Sequence, residues 1–173
     1  MPSGVRENRE DNVFTKIYGK MRAIKFKGKC IVPASGGRTV CGSLITKPNG
    51  RAMILEHEKG KLFNGYGVDP NTVCQFTGLL DKNGKEIFEG DVLRSDTYPF
   101  SCTGRNEYNN YYGAIGWSDE EALFYIVAIK NHKSSVAGIS DGITDVISQE
   151  KMKDFEVIGN VHDEEWKQYK EYV

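Results

Sequence analysis

An acidic pair, Glu89 and Asp91, is separated by one glycine and has the residue types of a metal site or of an acid and base pair. The pair offers only two carboxylates, and no histidine lies near it in the sequence. We therefore interpret Glu89-Gly90-Asp91 as a bend at which a strand passes from one sheet layer to another. No metal ligand, cofactor site or catalytic residue is expected, and a metal-dependent enzyme is the least favoured hypothesis.

Thiol chemistry would require cysteines at a metal-ligand spacing or in a disulfide pair. The cysteines have long, irregular gaps and form no Cys-x-x-Cys pair; they are Cys30, Cys41, Cys74 and Cys102. We interpret them as reduced thiols that act as small apolar residues. The histidines are equally scattered, and the glycine-rich segments 35–38 and 138–142 lack the flanking residues of a phosphate loop or a nucleophile elbow.

Basic and aromatic side chains interleave in two places, a pattern with which small barrels hold phosphates and stack bases. The candidate nucleic-acid contacts are Lys25, Lys27, Arg105, Tyr108, Tyr111 and Tyr112. The alternative is that the lysines solvate outer faces and the tyrosines pack at the rims of a barrel. The formal net charge of −1 provides no general attraction to nucleic acid, so binding of single strands by a small barrel is the second hypothesis.

The elements that must position these residues are mostly short strands bounded by glycine turns. Strands are predicted over 21–27, 30–34, 39–46, 51–56, 73–80, 85–88, 92–94, 111–117, 122–129 and 155–161. In the first of them Ile24 and Phe26 alternate with lysines, which indicates a half-buried strand that ends at Gly28. Turns at 47–50 and 81–84 predict two hairpins.

Two short helices are predicted near the end of the chain, over 148–155 and 163–172, with Ser148 and Asp163 as their N-caps. Gly113 and Gly116 indicate a bend or a bulge within the strand at 111–117. Because the strands follow one another without helices between them, the pattern excludes a doubly wound α/β fold. It favours a mostly β protein, either a β-barrel or an α+β arrangement.

The expected organisation is an N-terminal extension over residues 1–20, partly flexible, and one β-rich domain over 21–173 with a short C-terminal helix. The chain has 173 residues, which suffices for a core without disulfides or metal. The N-terminus is polar and charged, and no apolar run approaches the roughly 20 residues of a membrane span. We therefore expect a cytoplasmic protein with no membrane partner.

Three segments, 21–27, 75–92 and 155–161, resemble the YopX-like family of phage and prophage proteins in order and spacing. The residues that carry the family motif are Thr77, Gly78, Leu79, Asp81, Asn83, Gly84, Ile87, Glu89, Gly90, Asp91, Val157, Ile158, Gly159 and Asn160. Family members usually place a Trp-Asp pair after the opening strand, whereas this chain has Gly28-Lys29-Cys30-Ile31 there. Residues 28–72 therefore follow the family loosely.

The resemblance implies an accessory phage or prophage protein in a bacterial host cell, without catalytic residues to transfer. It also implies assembly into homo-oligomers and a host or phage protein as the partner. The motif has a structural explanation, because Asp81 and Asn83 can bond back to nearby amides and Gly84 can adopt a left-handed conformation. The first hypothesis is a non-enzymatic interaction protein that self-associates, since exposed strands favour edge pairing.

Overall fold

The computed structural model describes residues 23–32, 37–56, 64–95, 111–129 and 144–173, which form two antiparallel sheets. The first sheet has the order β4-β3-β2-β1-β5-β6 and consists of β1 (Phe26–Lys29), β2 (Thr39–Thr46), β3 (Ala52–Glu56), β4 (Asn64–Val68), β5 (Cys74–Leu80) and β6 (Glu86–Phe88). The second has the order β10-β9-β8-β7-β11 and consists of β7 (Asp91–Ser95), β8 (Tyr111–Ser118), β9 (Leu123–Ala128), β10 (Thr144–Val146) and β11 (Glu156–Asn160). The prediction of a mostly β protein is confirmed, and the sheets are open, as in an α+β fold.

The first sheet curls so that its fourth strand returns to the end of its first. Cys30 forms a bridge with Val68, and the Ile31 amide donates to the Gly67 carbonyl at 3.0 Å. The concave face encloses an apolar cluster centred on Ile54 and Val40, which are fully buried. The predicted hairpin of β2 and β3 is confirmed, and its turn ends at Gly50 with a φ of 79°.

The second sheet is buried on both faces. One face carries Leu93, Ile115 and Ile126 and packs against Met152 and Phe155. The other face packs against the C-terminal segment, and its cluster contains Val92, Tyr112, Ala114, Val127, Ile129, Val161, Trp166 and Tyr169. Burial on both faces explains why β8 and β9 are continuous apolar runs instead of alternating ones.

Three short helices accompany the sheets in the described part of the chain. Helix α1 (Gln149–Met152) has the predicted N-cap, because the Ser148 hydroxyl accepts from the Lys151 amide. The predicted helix over 163–172 is instead a shorter 3-10 helix at Lys167–Tyr172. Another 3-10 helix, Pro70–Thr72, precedes β5. Asp163 does not cap it, since its carboxylate accepts from the Asn160 amide. None of the described helices has the length and apolar character needed to cross a membrane.

Several predicted strand boundaries in the first sheet are wrong. Gly28 does not end β1 but lies inside it opposite Val40, where the concave face has little room for a side chain. Ile24 precedes β1 and is 70% exposed. No strand forms over 30–32, where Cys30 makes a single bridge, and 33–36 lie outside the described residues.

The predicted bulge in β8 is also absent, because β8 pairs with both neighbours without a register shift. Its glycines instead leave room for side chains of β9. A β-carbon at Gly116 would lie 2.3 Å from Tyr125 Cζ, and one at Gly113 would lie 2.6 Å from Ile126 Cδ1. The observed bulge is in β11, between Val157 and Gly159.

Candidate functional site

A cleft of about 500 Å³ lies between the two sheets. Residues of β1, β2 and β6 form one side, and β7, β11 and the segment after β11 form the other. A cavity of this size at the junction of two layers is the usual place for a ligand or for catalysis. The chemistry of its walls therefore decides what this protein can do.

Alternate lysines lie on β1 and just before it, and each pairs with a carboxylate from a different segment; Lys27 and Lys29 line the cleft. Lys25 pairs with Glu86 of β6, and Lys27 pairs with Asp91 of β7. The third pair joins Lys29 to Asp163, with 2.9 Å between Nζ and Oδ1, and Lys29 Nζ also donates to the His162 carbonyl at 2.6 Å. Two of the ammonium groups also lie over aromatic rings, Lys25 over Phe76 and Lys27 over Phe88.

Asp91 is the buried centre of this arrangement, since only 1% of it is exposed. Its Oδ1 accepts from the Lys27 ammonium and from Asn160 Nδ2 at 3.0 Å, and its Oδ2 accepts from the Phe88 amide at 2.8 Å. The Asn160 amide group also donates to the Glu89 carbonyl at 3.3 Å. Both carboxylate oxygens of Asp91 are thus occupied by donors from β1, β6 and β11.

Asp81 makes a second connection between the sheets, at the turn between β5 and β6. Its Oδ1 accepts from the amides of Asn83 at 2.8 Å and Lys85 at 2.9 Å, which closes the turn. Its Oδ2 accepts from the Val157 amide of β11 at 3.0 Å. Gly84 has a φ of 78°, the left-handed conformation that this turn requires.

The remaining motif residues also make structural contacts. The Thr77 hydroxyl donates to the Ile87 carbonyl at 2.8 Å and accepts from the Leu79 amide at 3.1 Å. Ile87 is fully buried, and Gly78 and Gly90 have φ values of 89° and 71°.

On β11, Gly159 provides space for the indole of Trp166, because a β-carbon there would lie 2.5 Å from its Nε1. Its neighbours Val157 and Ile158 line the cleft.

A cysteine, a histidine and an asparagine come together at one end of the cleft, residue types that some proteases use for nucleophilic catalysis. Here the Cys74 thiol accepts from Asn160 Nδ2 at 3.9 Å, and burial raises the pKa of Cys74 to about 12. Burial also raises the pKa of Cys41 and lowers that of His162. A nucleophilic cysteine needs a depressed pKa, so this group is not poised for attack.

The two carboxylates of the acidic pair have separate partners in the part of the chain that the structure describes. The Asp91 carboxylate is occupied as above, and Glu89 is half-buried with its carboxylate 3.4 Å from the Gln75 amide. Burial raises the pKa of Glu89. Among the described residues, no group of three or more His, Cys, Asp or Glu side chains is arranged to hold a metal ion.

Four of the six candidate nucleic-acid contacts lie in the part of the chain that the structure describes, and none of these four presents a free cation or an exposed ring. Lys25 pairs with Glu86 within the first sheet, and Lys27 pairs with Asp91 of the second sheet. Tyr111 and Tyr112 are 3% and 8% exposed, so their rings are not presented for base stacking. Arg105 and Tyr108, like His57, His132 and Cys102, lie outside the described residues.

The contributions of Lys29 and Asp163 to the cleft were not predicted. The signal for Lys29 was available, because it continues the alternation of Lys25 and Lys27. Asp163 carried no such signal, since we interpreted it as a helix cap and its partner is distant in the sequence.

Comparisons with known proteins identify the family of the chain. No curated protein sequence matches the chain. Among solved structures, the crystal structure of protein EF1440 from Enterococcus faecalis is similar with 19% identity and a TM-score of 0.42, and the match covers 82% of this chain and 95% of that one. The family model described as YopX protein matches residues 41–165, which is more than half of the chain and includes the motif at 75–92. The resemblance noted in the sequence is thereby confirmed, and the chain belongs to the YopX protein family.

Proposed function

We propose that this chain is a phage or prophage accessory protein that acts by binding, without catalysis, and that self-associates in the host cytoplasm. The observation that carries the proposal is the use of the charged groups in the cleft. Lys25, Lys27 and Lys29 each pair with a carboxylate and thereby join β1 to other segments. Lysine and carboxylate side chains, which could support catalysis, are paired with one another and stabilise the fold.

The thiols support the same proposal. Cys30, Cys41 and Cys74 are free, as expected of a protein in a reducing compartment. Burial favours the neutral form of Cys74 and of Cys41, so both behave as apolar side chains that line the cleft. In this proposal, interaction with other protein molecules takes place on surfaces outside the cleft.

The test is light scattering coupled to size exclusion over a wide range of protein concentration. We expect a mass above that of the monomer, increasing with concentration. A strict monomer throughout the range would contradict self-association. A parallel titration with short single-stranded DNA and RNA at low salt measures the alternative function, and tight binding that weakens steeply with salt would replace our proposal with nucleic-acid binding.

A further inference from the structure

The cleft between the sheets has one more positive charge than its carboxylates neutralise. Three carboxylates line it, and each has a lysine partner, in the pairs Lys25 and Glu86, Lys27 and Asp91, and Lys29 and Asp163. Lys85 also lines the cleft, and in the described part of the chain its ammonium has no carboxylate partner. The hydrogen bond that it donates to the Val157 carbonyl is long, at 3.4 Å. Such a cation in a cleft is a binding group for an anion.

Lys85 has a fixed place at one end of the cleft. Its amide donates to Asp81 Oδ1 at 2.9 Å, and Oδ2 of the same carboxylate accepts from the Val157 amide at 3.0 Å. The backbone of Lys85 is thereby held beside β11, and its ammonium reaches the carbonyl of the same Val157. Because this positioning exists before any ligand binds, little further ordering is needed to form an ion pair there.

The walls beside this cation are apolar. Cys41, Cys74 and Phe88 belong to one apolar cluster of the first sheet and line the cleft, and Ile158 of β11 lines it from the opposite side. Burial raises the pKa of both thiols, so they are neutral at pH 7. A ligand that extends from Lys85 into the cleft therefore needs an apolar body.

The far end of the cleft carries no free charge among the described residues. His162 lies there, beyond the end of β11, and burial lowers its pKa, so its imidazole is neutral at pH 7. The neighbouring ammonium of Lys29 pairs with Asp163. At about 3.3 Å per residue, the wall from Val157 to His162 is roughly 15 Å long. The ligand should thus carry a single negative charge, at the end that meets Lys85.

We propose that the cleft binds a small monocarboxylate with an apolar chain, whose carboxylate pairs with Lys85. The chain lies between Cys41 and Phe88 on one side and Ile158 on the other. The volume of about 500 Å³ lies within the range of small-molecule sites. A dianion would place its second charge beside a neutral imidazole, and a cation would be repelled by Lys85. This inference does not depend on the proposed self-association, because the cleft belongs to a single chain.

The first test compares ligands that share one chain and differ in charge, namely octanoate, octan-1-ol, octylammonium and the dianion suberate. Titrations of the full chain followed by amide chemical shifts in NMR give the dissociation constants and the position of the ligand. Because octanoate has few atoms, we expect its dissociation constant to be about millimolar. Octan-1-ol, octylammonium and suberate should each bind about tenfold more weakly or worse.

The second test compares two glutamine substitutions in the turn between β5 and β6. Lys85→Gln removes the cation at the cleft, and Lys85 is exposed, so the variant should fold. Lys82→Gln is the matched control, because Lys82 pairs with Glu156 and does not line the cleft. We expect Lys85→Gln to weaken octanoate about tenfold and to leave octan-1-ol unchanged, with Lys82→Gln close to wild type. Circular dichroism melts establish that both variants are folded.

A chemical readout locates the ligand independently. Cys41 lines the cleft, so octanoate should slow its alkylation by iodoacetamide in the wild-type protein. The inference is overturned if octanoate at up to about 10 mM shifts no amide of the cleft, or if octan-1-ol or octylammonium binds as tightly as octanoate. Equal loss of octanoate binding in Lys82→Gln and Lys85→Gln would also overturn it.

Discussion

Asp81 and Asp91 are buried aspartates: Asp81 accepts hydrogen bonds from its own turn and from β11, and Asp91 accepts them from three strands. Asp81 is 5% exposed and Asp91 is 1% exposed. A buried carboxylate is costly unless donors satisfy it, and here the donors come from β11, β6 and β1. At the scale of single residues, the family motif is thus a set of connections between the two sheets.

Replacing Asp91 by Asn should destabilise the protein by about 3 kcal/mol, because Lys27 then loses the anion that compensates its half-buried charge. Chemical denaturation monitored by circular dichroism measures the change. The control is Lys27→Met in the Asp91→Asn background, which removes the unpaired ammonium and should recover part of the loss. If the double variant is as unstable as the sum of the single variants, the two residues are not coupled.

Replacing Gly84 by Val should cost about 1–3 kcal/mol, because a β-branched residue is strained at positive φ. The effect is one of backbone strain alone, since a β-carbon at this position meets no atom within 4 Å. Gly84→Asn is the matched control and should cost less, because asparagine tolerates the left-handed region. Thermal melting compares the two, and equal melting temperatures for Val, Asn and wild type would contradict this account of the turn.

Cys74 should resist alkylation in the folded protein. Its pKa is raised to about 12, so at about pH 8 the thiolate fraction is far below that of a free cysteine. Cys41 also has a raised pKa but is half-buried, so it should react before Cys74. Iodoacetamide labelling followed by peptide mass spectrometry resolves the sites, and the same labelling in urea should make the two equal. Rapid labelling of folded Cys74 would refute the assignment of a neutral, buried thiol.

At the scale of elements, the glycines of β8 are spacers for the side chains of β9. Replacing Gly116 by Ala should destabilise the protein by about 1–3 kcal/mol, because the new methyl group collides with the Tyr125 ring. Tyr125→Ala in the same background relieves the collision, so the double variant should be less destabilised than the sum of the single changes. Additive losses, measured by denaturant unfolding, would show that the ring moves away freely.

Elements with a strong local pattern could be predicted from the sequence, and elements that depend on distant partners could not. The glycine-containing segment before it and the turn after it located β2, whose bounds are Thr39–Thr46 as predicted. We predicted no strand over Asn64–Val68, because its two glycines give a weak strand signal and β4 is stabilised by pairing with β3. The bulge predicted from the glycines of β8 was wrong for a related reason. Their role is to leave space for side chains of β9, and those side chains cannot be identified from the sequence of β8 alone.

In the candidate site, too, local features could be predicted from the sequence and contacts between distant residues could not. The alternation of lysines in β1 is visible in the sequence, but their acidic partners are 61, 64 and 134 residues away. Without those partners, the lysines indicated a phosphate-binding surface. The motif at 75–92 located the turn and both aspartates, because a turn is a local structure, but its contacts with β11 are long-range.

At the scale of the whole molecule, β1 lies between β2 and β5 and so joins the two parts of the first sheet. Deleting the chain through Lys27 removes Phe26, two of the ion pairs and half of this strand, so we expect an unfolded or aggregating protein. Deleting residues 1–12 removes a polar segment with few apolar residues, and we expect cooperative melting to persist. Circular dichroism melts of the two deletion variants test both expectations. If deletion of residues 1–12 unfolds the protein, the folded domain begins closer to the N-terminus than residue 21.

The row of ion pairs along β1 has a consequence for how the protein is made. A ribosome adds about 5–20 residues each second, so the 134 residues between Lys29 and Asp163 take roughly 7–27 seconds to synthesise. During that interval β2, β3 and β4 can pair with one another as local hairpins, while Lys29 of β1 still lacks its partner Asp163. The cleft therefore assembles on a nascent chain after those hairpins, and its completion waits for the synthesis of Asp163.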